Sequence, residues 1–96
     1  MFVKGTIGLN VCPYGSHVII DVAACKLAAN ELKMQFTGEV IHNTSPKGCV
    51  MTAMSGLNVV YLNTHSVGKP KSNDAPICKR ANGDGNYFLL TFENLR

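Results

Sequence analysis

The sequence predicts an α+β fold: a small, single-layer, mostly antiparallel sheet of five to six strands, packed by one helix over about residues 22–35. Three observations carry this expectation. Short apolar runs with a period of two recur along the chain. One window, Ala23–Gln35, is rich in strong helix formers and changes that period to a helical one. Clusters of Gly, Pro, Asn and Ser separate the runs. With 96 residues and 46% hydrophobic content, the chain reads as one domain over 1–96, and wholesale disorder is excluded.

Residues 2–11 alternate, with Val3, Gly5, Ile7, Leu9 and Val11 on one face, which is the pattern of a half-buried strand. Pro13-Tyr14-Gly15-Ser16 is a turn, and His17–Val22 is a second β-branched run, so a hairpin is expected. Asp21 is a candidate N-cap for the helix. The small residues Ala24, Cys25, Ala28 and Ala29 would let that helix lie close to a sheet. Phe36–His42 returns to strand character, and Asn43–Gly48 is a break. Residues 46–55 carry two readings. Ser45-Pro46 resembles a helix start, but CVMTAM alternates, and strand is preferred. Leu57–Asn63 reads as a central strand, apolar on both faces over 59–62. Tyr87–Leu95 reads as the last strand.

Between these last two strands lies THSVGKPKSNDAPICKRANGDGN, residues 64–86, the longest run without a hydrophobic period. It is expected to be a long basic loop. Loops longer than about 12–15 residues usually carry function. This one holds four of the nine basic residues, Lys69, Lys71, Lys79 and Arg80. Residues 1–64 carry four Lys against three acids, net +1; residues 65–96 carry five basic residues against three acids, net +2. The positive excess therefore leans toward the loop.

The formal charge of +3 is mild and excludes an acidic nucleic-acid mimic. The first residues, MFVKGTIGLNVC, lack the apolar core of a signal peptide, and no run approaches the roughly 20 apolar residues of a membrane span. A cytoplasmic protein with four reduced cysteines and no membrane partner is therefore expected.

The chemistry-bearing residues form no strong motif. Cys12 with His17, and His42 with Cys49, lack zinc-site spacing. Cys49 with His65 and Asn63 or Asp74 supplies the residue types of a thiol nucleophile without a local signature. Asp74 and Asp84 sit in turn-prone sequence. No catalytic residue, metal ligand or cofactor is therefore assigned. Lys69 and Lys71, in GKPKSN, and Lys79-Arg80 offer point charge and a bidentate fork to phosphate or carboxylate. The segment is not a Walker A loop. Tyr61 and Tyr87, on the strands entering and leaving the loop, could stack beside it.

The expected function is a small non-enzymatic binding or inhibitor protein, with the profile of virus- or mobile-element-type accessory proteins. It would contact a nucleotide, a nucleic acid or an acidic protein surface through Lys69, Lys71, Lys79, Arg80, Tyr61 and Tyr87. A small cysteine- or metal-dependent enzyme and a self-associating accessory protein, dimeric or larger, are the alternatives.

Overall fold

The helix forms where its cap allows it. In the computed structural model, which describes residues 2–54 and 56–81, α1 spans Val22–Glu31. Asp21 precedes it in extended conformation, and its carboxylate accepts the Ala24 N–H at 2.9 Å. Such a cap contributes about 1 kcal/mol. The expected helix ran one turn longer. It stops because Lys33 adopts a left-handed φ of 59°. The Lys33 N–H then donates to Asn30 O and the Met34 N–H to Ala29 O, at 3.1 and 2.8 Å. This is a Schellman closure with lysine where glycine is usual. Met34 packs onto the core directly after it, which holds that backbone in place.

Among the described residues six strands make one mixed sheet: β1 (Phe2–Lys4), β2 (Ser16–Val18), β3 (Gln35–Val40), β4 (Pro46–Met54), β5 (Leu57–Gly68) and β6 (Asp74–Arg80). The order is β1-β6-β4-β5-β3, with β2 also paired to β6. The domain is thus α+β as expected. However, β3 runs parallel to β5 while the other pairs are antiparallel. Residues 46–54 are strand, not helix.

Two expectations about the strands and the long loop are corrected. The first strand stops at Lys4, and no 2–11/17–22 hairpin forms. Instead β1 and β2 each pair with residues 77–80 of β6, on opposite edges. The chain then continues alongside β6, with the Gly5 N–H on Pro76 O and the Gly8 N–H on Asp74 O. A Cβ at Gly5 would lie 2.8 Å from Pro76 Cγ, so only glycine permits this approach. The second correction concerns 64–86, which is not one loop. Residues 64–68 end β5, 69–73 form a short connection, and 74–80 are β6. Asp74 to Cys78 are all buried. Pro76 lacks the N–H of an ordinary ladder residue, which disguises the strand locally. Its partners, β1, β2 and β4, are distant in sequence. Residues 82–86 and the expected strand at 87–95, with Tyr87, lie outside the described residues.

The 69–73 connection positions everything that follows. Gly68 pairs with Pro46 at the start of β4, whereas Asp74 pairs with Thr52 near its end. The connection must therefore cross β4 diagonally over one face. Parallel strands usually need a dozen or more residues to do this. Here the end of β5 is already bent, because His65 Nδ1 accepts the Val67 and Gly68 N–H groups at 3.2 and 2.9 Å. Gly68 has φ 70°, and a Cβ there would lie 2.6 Å from Ser45 O.

The two sheet faces are covered differently. Helix α1 lies over one, where Cys25, Ala28 and Ala29 meet Cys49, Met51, Val60, Leu62, Ala75 and Ile77. The segments 9–14 and 69–73 cross the other. Val50, Asp74 and Cys78 there are fully buried.

The cysteines are not reduced. Cys12 is bonded to Cys78 and Cys25 to Cys49, with Cα separations of 5.9 and 5.4 Å. The first bond clamps the 9–14 segment onto β6. The second staples the helix to β4. The pairing arises from tertiary proximity, which the irregular sequence spacings did not disclose. No helix of the described residues is long and apolar enough to cross a membrane.

Candidate functional site

Period-two alternation along β5 sends Val60 and Leu62 to the helix side and Val59, Tyr61 and Asn63 to the opposite face. On that face, between β3 and the crossing segment, lies a groove of about 350 Å³. Thr37 and Val40 line it from β3, His42 from the following turn, Thr52 from β4, Val59 and Tyr61 from β5, and Lys71 from the crossing segment. Its accessible surface is mostly carbon. Among the described residues Lys71 is the one cation of the lining, and no carboxylate lines the groove.

Each wall is held in place by a specific bond. Thr37 Oγ1 donates to Val60 O at 3.1 Å, tying β3 to β5. Asn63, 1% exposed, organises the turn that carries His42. Its Nδ2 donates to the carbonyls of His42, Ser45 and Pro46 at 2.8, 3.2 and 2.8 Å. Its Oδ1 accepts the N–H groups of His42 and His65 at 2.9 and 3.2 Å. The Asp74 N–H donates to Lys71 O at 3.1 Å, which fixes the last turn of the crossing segment.

Tyr61 forms the floor, with its ring 6.2 Å from the His42 ring and tilted 56° to it. Its hydroxyl donates to Asp74 Oδ2 at 2.5 Å. The other oxygen, Asp74 Oδ1, is buried without a hydrogen-bond partner among the described residues, as is Ser45 Oγ. Burial pushes the Tyr61 phenol well above its ordinary pKa, and the hydrogen bond to Asp74 pushes in the same direction. The phenol is therefore a neutral donor throughout the physiological range. A raised folded-state pKa contributes stability that is fully present below the unfolded value near 10 and is lost as pH rises above it. Subtracting the alkaline absorbance titration of Tyr61→Phe from that of the native protein should reveal no phenolate from Tyr61 until the fold itself is lost.

The six residues expected to form a site are dispersed. Tyr61 and Lys71 meet in the groove. Lys69 is exposed on the same crossing segment, where its N–H donates to Ser45 O at 2.8 Å. Lys79 and Arg80 are exposed at the far end of β6, opposite His17 and Ser16 of β2. Six residues of strand separate Arg80 from Asp74, about 20 Å. The four cations therefore do not converge on one anion. Tyr87 lies outside the described residues.

Sequence reasoning did not single out Thr37, Val40, Thr52 or Val59, and it considered His42 only as half of a metal pair. The alternation in β5 and β3 was the available signal, but it needed the crossing segment to become a groove. Cys49 has no free thiol, being bonded to Cys25. The thiolate route through Cys49 and His65 is therefore closed. No family model matches the chain, and neither a curated protein nor a solved structure does.

Proposed function

We propose that this domain is a non-enzymatic, disulfide-braced binding module whose groove takes a small apolar ligand bearing an anionic group. The observation that carries the reading is the lining itself: Val40, Val59 and the Tyr61 ring around a cavity whose one charge among the described residues is Lys71. Apolar walls with a few placed polar groups are the usual composition of ligand sites. The anionic partner expected from the sequence is narrowed by this geometry. A polyphosphate needs several converging cations, and the described residues of the groove offer one. The two disulfides support an oxidising compartment as the place of action, in place of the cytoplasm expected from the sequence.

Paired ligands test this. Octanoate and octanol share a chain and differ in charge, so calorimetric titration separates the two contributions. Octanoate should bind more tightly than octanol. Lys71 is exposed, so its ion pair is worth at most about 1 kcal/mol, roughly fivefold in affinity. Lys71→Ala should remove that preference and leave octanol binding unchanged. Equal affinity for the two ligands in the native protein would defeat the anionic part of the proposal. Failure of both to bind would defeat the groove.

Self-association has one specific observation in its favour. Among the described residues β3 is paired only to β5, leaving an open edge over Gln35–Val40. Light scattering that reports a monomer over the working concentration range would dispose of this second reading.

A further inference from the structure

The segment leading from β1 to β2 exposes more large apolar side chains than a small domain normally shows to water. Ile7 is 52% exposed, Leu9 47%, Val11 64% and Tyr14 105%. These residues are not on a loose loop that can fold them away. The Gly5 and Gly8 N–H groups are bonded to Pro76 and Asp74 carbonyls, the Cys12–Cys78 bond clamps the middle, and the Ala81 N–H donates to Gly15 O. The segment that carries them is therefore a fixed stripe beside β6, anchored from Asp74 to Ala81, about 23 Å of strand.

The stripe is bracketed by positive charge. Lys71 stands at the Asp74 end and Arg80, opposite Ser16, at the other. Lys47 sits beside the middle, lining a hollow of about 180 Å³ together with Cys12 and Val67. Val67 is itself 69% exposed. Residues 1–20 contain no acid, and the acid of β6, Asp74, is fully buried. Apolar side chains that stand out from a braced loop, flanked by three cations and with no exposed carboxylate in residues 1–20 or 69–81, match the boundary between acyl chains and anionic headgroups.

We propose that the 5–15 segment docks this domain peripherally on an anionic lipid surface. Ile7, Leu9, Val11 and Tyr14 would enter the interface, with Lys47, Lys71 and Arg80 over the headgroups. The sequence-based expectation of no membrane partner rested on the lack of a membrane-spanning run, and a peripheral contact needs none. The proposal shares Lys71 with the groove but needs no ligand in it, and its test leaves Lys71 unchanged.

Co-sedimentation of the full chain with vesicles tests it, comparing pure phosphatidylcholine with vesicles containing about one-third phosphatidylserine. The expected result is binding to the anionic vesicles that falls as salt rises. Arg80→Glu with Lys47→Glu should weaken it at least about fivefold for each cation reversed. Val11→Asp should weaken it about tenfold or more by removing apolar insertion. Because Val11 and Arg80 are exposed, an unchanged thermal midpoint would show that these variants still fold. No binding to anionic vesicles overturns the proposal. Binding to soluble polyglutamate without binding to vesicles also overturns it, in favour of an acidic protein partner. Vesicle binding that is unaffected by Val11→Asp overturns the placement on this segment.

Discussion

Replacing Cys12 and Cys78 together by alanine should lower stability by about 4 kcal/mol and the melting midpoint by roughly 15–30 °C. The bond closes a loop with a sequence separation of 66, so its removal releases much denatured-state entropy. In the folded state the loss is also local. Cys78 is fully buried in β6, and Cys12 is what holds the 9–14 segment across that strand. The Cys25–Cys49 bond has a sequence separation of 24 and should contribute about 3.5 kcal/mol by the same reasoning. Small domains hold only about 5–15 kcal/mol in total, so losing both bonds should unfold the chain at physiological temperature. Thermal melts followed by circular dichroism, with and without a thiol reductant, measure this directly. An unchanged midpoint under full reduction would show that the bonds do not brace the fold.

Asn63→Leu should cost about 3–5 kcal/mol, an effect comparable to losing a disulfide. Leucine keeps the branched shape and leaves no cavity, though its greater bulk must be accommodated. The cost comes from hydrogen bonds. Asn63 satisfies the carbonyls of His42, Ser45 and Pro46 and the N–H groups of His42 and His65. Each buried backbone group left without a partner costs about 1–3 kcal/mol, reduced where water can reach it. Asn63→Asp keeps the acceptor but turns the donor into a second acceptor facing those carbonyls, so it should be no better tolerated near neutral pH. Denaturant unfolding gives the difference. A loss below about 1 kcal/mol for Asn63→Leu would mean that the 42–46 turn is held by something else.

The parts of the fold legible in the sequence were those set by neighbouring residues. Asp21 announced the helix, and the alternation around Val50 and Tyr61 announced β4 and β5. What the sequence hid was set by distant residues. β6 contains Pro76 and is completed by β1 and β2 from the first 18 residues and by β4, so its local pattern resembles a loop. Lys33 ends the helix in a backbone conformation that lysine seldom adopts. The four cysteines form an even set in a short chain, which is a disulfide signature in its own right. The candidate site was half legible. Lys71 and Tyr61 were named for their chemistry and do meet, whereas Lys79 and Arg80 were grouped with Lys71 only because a single loop was assumed.

The claim on which the function rests is that the 69–73 segment, laid across β4, makes a groove with Tyr61 at its floor and Lys71 at its rim. Amide chemical-shift mapping during a titration with octanoate tests it most directly. The expected shifts fall on Thr37, Val59, Tyr61 and Lys71, with Lys79 and Arg80 unmoved. Shifts centred on Lys79 and Arg80, or none on β5 at saturation, would contradict it.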